Sequence, residues 1–129
     1  MGEHVFRELT LPTRFSTTSS DLLLTNSTEI FPSAKFIYIN AYGIFQDILN
    51  RPAAFGFTVT NAGCCGVGRN NGQITCLPLQ TPCRNRNQYV FWDAFHPTEA
   101  ANIIVGRRSY SAQSASDAYP YDIRRLTQQ

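Results

Sequence analysis

Tyr89-Val90-Phe91-Trp92-Asp93-Ala94-Phe95-His96-Pro97-Thr98-Glu99-Ala100-Ala101-Asn102 is the stretch on which the reading of this chain turns. Tyr89 to Trp92 read as a short apolar strand. Pro97 disfavours the helical region for His96, and Pro97-Thr98-Glu99 resembles a helix start. His96 is therefore expected at a strand-to-helix mouth, with its ring facing outward. An aspartate three residues ahead of a histidine can bend back onto the imidazole, accept a hydrogen bond from one ring nitrogen and aim the other at a nucleophile. The run thus supplies two thirds of a hydrolytic triad. The spacing alone is weak, since Asp-x-x-His pairs also occur in surface turns.

Three further blocks accompany it. They are Phe31-Pro32-Ser33-Ala34-Lys35-Phe36-Ile37-Tyr38-Ile39-Asn40-Ala41-Tyr42, Gly63-Cys64-Cys65-Gly66 and Ser116-Asp117-Ala118-Tyr119-Pro120. Together with Val90 to Ala100 they resemble the plant GDSL esterase/lipases, within the wider SGNH hydrolases. The similarity covers residues 31 to 129. It implies an α/β protein, the C-terminal part of a three-layer α/β/α (flavodoxin-like) domain with an incomplete parallel sheet. It also implies a secreted serine esterase in which a Gly-Asp-Ser serine attacks an ester or lipid carbonyl. The histidine matching His96 would be the general base, and the aspartate matching Asp93 would orient it. A glycine and an asparagine from two intermediate blocks would bind the oxyanion, usually a large part of the rate enhancement. No cofactor or metal is implied.

The serine and oxyanion blocks are not found. Gly-Asp-Ser does not occur, and Ser20-Asp21 lacks both the glycine and the order. Gly68-Arg69-Asn70 fits a Gly-x-Asn pattern but falls in the cysteine-rich loop, where Gly and Asn are expected as turn residues. No nucleophile and no oxyanion residue is assigned.

Composition limits the alternatives. A chain of 129 residues, 43% hydrophobic, is a normal size for one domain with a core. Its 11 basic and 9 acidic groups give a net charge of +2, too small to argue for nucleic acid or an acidic membrane. The pairs Arg84 with Arg86, Arg107 with Arg108, and Arg124 with Arg125 are expected on solvated faces. No apolar stretch approaches the ~20 residues of a membrane span. Oligomeric state is left open.

Cys64, Cys65, Cys76 and Cys83 lie close together in a Gly, Asn and Pro-rich stretch. Four cysteines allow three pairings. A bond between adjacent Cys64 and Cys65 would be strained, so each is expected to reach Cys76 or Cys83. A zinc site fits the spacing poorly. Disulfides point to a parent protein made for an oxidising compartment.

Lys35 to Asn40 read as a sheet strand. Ala41 to Leu49 place Ile44, Phe45, Ile48 and Leu49 at helical spacing, with Asn50-Arg51-Pro52 stopping the run. The cysteine loop follows, then a strand ending at Asp93. A helix from about Thr98 to Arg107 would turn Ala101, Ile104 and Val105 toward the core. Phe91, Trp92 and Phe95 are expected as packing around the Asp-His pair.

Residues 1–30 show no sustained period and read as a leader outside the family, disordered or out of frame. Leu22-Leu23-Leu24 is shorter than the roughly 7 to 15 apolar residues of a signal peptide. A chain translated as given is therefore expected to stay cytoplasmic, although the parent family is secreted. Asn26-Ser27-Thr28 is a glycosylation triplet without an export signal, and His4 is expected to be a solvent-exposed bystander. Codons offer a reason for the mismatch. A message for Asp-Gly-Arg-Thr-Cys-Val-Gln-Arg-Ile-Asn-Ser-Ala-Asn-Gln, similar to the family's helix ahead of the strand, spells Met1 to Thr13 when read one nucleotide later. The shifted frame would run through Glu29 or Ile30.

Two functions compete: a truncated GDSL-type ester hydrolase retaining Asp93 and His96, and a catalytically inactive fragment, inert or associating with a homologue.

Overall fold

The computed structural model describes residues 24–27, 29–31 and 33–129. His4 and most of the expected leader lie outside them, as does Thr28 of the glycosylation triplet. The described residues fall into two compact units. One is Phe45–Ile104; the other joins the residues up to Ile44 with Val105–Gln129.

In the first unit, two strands pair in parallel: β2 (Val59–Gly63) and β3 (Tyr89–Phe91), with Val59 opposite Tyr89, Gly63 opposite Phe91 and a shift of register between them. β2 has no apolar alternation and was not anticipated from the sequence. The amides on either side of it extend the pairing: Thr58 N–H donates to the Gln88 carbonyl at 3.0 Å, and Cys64 N–H to the Phe91 carbonyl at 3.0 Å. The core here contains Ile48, Phe57, Val90 and Phe91. At the end of β2, a Cβ on Gly63 would meet the Asn71 carbonyl oxygen at 2.6 Å and the Asp93 Cα at 3.2 Å. That close approach of backbone requires glycine.

The four cysteines pair as Cys64–Cys83 and Cys65–Cys76. Each adjacent cysteine thus reaches a distant partner, and none of these sulfurs is a thiolate. Gly68-Arg69-Asn70 forms a turn, with φ of 85° at Gly68 and 55° at Asn70. Exposed Arg86 lays its guanidinium over the Trp92 ring, 5.4 Å from the centroid.

In the second unit, β1 (Tyr38–Ile39) pairs with β4 (Ala118–Tyr119), and this pairing is antiparallel. The expected strand Lys35 to Asn40 is therefore shorter than its sequence suggested. Asn40 ends it: its N–H donates to the Asp117 carbonyl at 2.8 Å, while its side-chain oxygen accepts from Gly43 N–H at 2.9 Å. That second bond caps the helix Ala41–Asn50. Ile44 and Ile48 of this helix are fully buried and Phe45 and Leu49 partly so, which is the expected apolar face.

The expected helix after Pro97 runs Glu99–Tyr110. Thr98 starts it, accepting from Ala101 N–H through Oγ1 at 3.3 Å and donating from the same oxygen to the Tyr89 carbonyl at 2.7 Å. Ala101 is fully buried, and Ile104 and Val105 are partly exposed.

One arginine departs from expectation. Arg107 is exposed, but Arg108 is buried against Asp117, because a second-unit carboxylate lies within reach of its guanidinium. Among the described residues, no helix is long and apolar enough to cross a membrane. Helices with small parallel and antiparallel pairs make an α/β chain.

Candidate functional site

The strand β3 stops at Phe91, two residues before the expected Asp93, because the chain turns back on itself. Trp92 and Asp93 N–H both donate to the His96 carbonyl, at 2.8 and 3.4 Å. Asp93 drives this turn from inside. Its Oδ1 accepts from the N–H groups of Phe95 and His96, each at 2.9 Å. Such local side-chain to backbone bonds are the usual reason aspartate nucleates turns.

The same oxygen lies 2.8 Å from His96 Nδ1. The pair is asymmetric in exposure: the Asp93 side chain is 1% exposed and that of His96 63%. The ring therefore projects outward at the strand-to-helix mouth. Among the described residues, Nε2 has no hydrogen-bond partner.

Asp93 Oδ2 is held from another direction. Thr75 Oγ1 donates to it at 2.7 Å and Cys76 N–H at 2.9 Å. Burial alone would raise the Asp93 pKa. The bonds from Cys76, Phe95, Thr75 and His96 outweigh it and hold the carboxyl well below the usual aspartate range. With Asp93 ionised, it can only accept, so Nδ1 is the nitrogen that carries the proton, and in the neutral tautomer of this ring the lone pair lies on Nε2.

Thr75 and Cys76 were missed in the sequence. The only signal was Cys76 itself, as a disulfide candidate. Phe95 was expected in the packing around the pair but is 60% exposed, because the turn at Asp93 points it outward. Phe91 is buried as expected, and Trp92 is partly covered.

The description "GDSL-like Lipase/Acylhydrolase" belongs to the family model that matches residues 14–109, a match beginning upstream of Phe31. The chain belongs to this family. A GDSL esterase/lipase of Arabidopsis thaliana is 79% identical over 97 residues, which is 75% of this chain and 27% of the relative. Two more from the same plant are 76% and 72% identical over 95 residues, 74% of this chain and 26% of each relative. The chain thus spans about a quarter of the length of the curated relatives it matches. As a GDSL-family chain it combines two disulfides, an α/β arrangement and a buried, ionised carboxylate bonded to an exposed imidazole.

Proposed function

We propose that this chain is the C-terminal portion of a GDSL-type esterase/lipase, with Asp93 and His96 as the acid-base pair of a Ser-His-Asp ester hydrolase. The supporting observation is the 2.8 Å bond from His96 Nδ1 to a carboxylate held ionised by its other donors. In this reading Nε2 takes the proton of a serine hydroxyl as that oxygen attacks an ester carbonyl, and returns it to the departing alcohol. Asp93 keeps the ring in the required tautomer and stabilises the imidazolium that forms. The substrates proposed are small-molecule esters or lipids, without a cofactor. The fold proposed for the whole is the three-layer α/β/α arrangement, and the disulfides suit a secreted parent.

The serine must come from outside this sequence, which contains no Gly-Asp-Ser. A His-Asp pair without it offers general-base help to water, typically worth ~10² to 10⁴ and far below an enzyme's total acceleration. The proposal therefore has two arms. The chain alone does not turn over a short-chain chromogenic ester. The Arabidopsis relative, with its matching 97 residues replaced by those of this chain, hydrolyses that ester and loses about 10² to 10⁴ in kcat on His96→Ala. A graft whose activity ignores His96→Ala would refute the reading. Turnover by the chain alone, lost in His96→Ala, would put a nucleophile inside it.

The second reading, an inactive fragment that associates with a homologue, is favoured by one feature. Among the described residues β2 has β3 as its strand partner, and the far side of β3 is met by Pro97 and Thr98, which leaves the outer edge of β2 to accept another chain. Co-elution of the chain with the full-length relative would support it.

A further inference from the structure

Donors within residues 93–96 all act on one Asp93 oxygen. Phe95 N–H, His96 N–H and His96 Nδ1 converge on Oδ1. A carboxylate turns about a broad, roughly two-fold torsion, so bonds to a single oxygen leave its plane free to swing. The second oxygen removes that freedom. It accepts from Thr75 Oγ1 at 2.7 Å and Cys76 N–H at 2.9 Å, both from the cysteine loop. The loop is itself fastened beside the site. Cys76 is bonded to Cys65, and Cys65 N–H donates to the Trp92 carbonyl at 2.7 Å, one residue before Asp93.

The geometry points to Thr75, with the Cys65–Cys76 disulfide that holds its loop, as the positioning unit of the Asp93–His96 pair. Thr75 fixes the carboxylate plane and through it the Nδ1-protonated tautomer of His96. The inference rests on the proposed pairing of Asp93 with His96. Thr75 touches no reacting atom and acts only through Asp93. Preorganisation of this kind, in which a supporting bond locks the rotamer of a working group, is what keeps a site in productive geometry.

The tautomer is the readout, because a purely structural role would not move it. The oxidised full chain is labelled with ring ¹⁵N-histidine and observed at mildly alkaline pH. The sequence has two histidines, so His4→Gln leaves a single set of signals. The parent is expected to give the Nδ1-protonated pattern. Thr75→Val, close in shape but without the donor, moves the ring shifts toward the averaged values of imidazole in water, and Thr75→Ser restores them. Cys65→Ala with Cys76→Ala moves them in the same direction as Thr75→Val. Thr75→Ala is measured alongside in case the valine methyl disturbs the fold.

If Asp93→Asn relaxes the tautomer while folded Thr75→Val or Thr75→Ala leaves it in place, the positioning role is overturned and the pairing stands. If Asp93→Asn itself changes nothing, the pairing fails, and the inference with it. Loss of folding in both Thr75→Val and Thr75→Ala would make the hydroxyl a requirement of the fold and overturn the positioning role.

Discussion

Arg108 grips Asp117 with two nitrogens, Nε 3.0 Å from Oδ2 and Nη2 2.6 Å from Oδ1, and both side chains are buried. Asp117 Oδ2 also accepts from the Gln113 and Ser114 N–H groups, at 2.9 and 3.1 Å. Removing one member of a buried, hydrogen-bonded pair leaves an uncompensated charge, which typically costs about 3 to 5 kcal/mol. Arg108→Ala and Asp117→Ala are each expected to lose that much in urea unfolding. Arg107→Ala, exposed on the same helix, is expected to lose less than about 0.5 kcal/mol.

Acid should unfold the chain through Asp117 and Asp93. Burial would raise both Asp93 and Asp117, but hydrogen bonds to each, and the Arg108 charge at Asp117, hold them below the ordinary value of 3.8. Groups that bind protons more weakly when folded contribute fully above that value, and the contribution is lost as pH falls below it. Unfolding free energy followed downward from pH 5 should therefore drop in acid. Asp93→Asn and Asp117→Asn should each flatten that limb, and an unchanged limb in both would contradict the assignment.

Each disulfide is expected to add about 3 kcal/mol by restricting the unfolded chain, given loops of 19 and 11 residues. Oxidised chain compared with Cys64→Ala/Cys83→Ala in urea tests the larger loop. Equal midpoints would mean that native strain cancels the constraint.

Gly63→Ala should be costly for a reason separate from conformational freedom. The added methyl would press on the Asn71 carbonyl and approach the Asp93 Cα, all of which is backbone and cannot step aside as a side chain would. Overpacking of this kind typically costs about 1 to 3 kcal/mol. Thermal unfolding of Gly63→Ala beside Gly56→Ala, where nothing lies within 4 Å but φ is 85°, separates crowding from backbone strain.

The sequence made some elements legible and concealed others for physical reasons. The helix Ala41–Asn50 was readable because Ile44 and Ile48 recur at the helical period and Pro52 stops the run. β2 was hidden because Val59-Thr60-Asn61-Ala62-Gly63 carries little apolar side chain, and its place is decided by backbone pairing with β3. Asp93 and His96 were visible as a spacing of three. Thr75 was not, since it lies 18 residues from the carboxylate it bonds and is brought there by a cross-link. Arg108 looked like its neighbour Arg107 because one helical step separates a solvated face from a buried one.

Cys76 and Cys83 are each tied by a disulfide to the end of β2, and residues 77–82 between them are all exposed. Both ends of that segment are thus welded in place, so changes in its length or composition are absorbed locally and need not reach the imidazole. It is a natural grafting port: an engineer can rewrite it without rebuilding the carboxylate's support from Thr75 and Cys76.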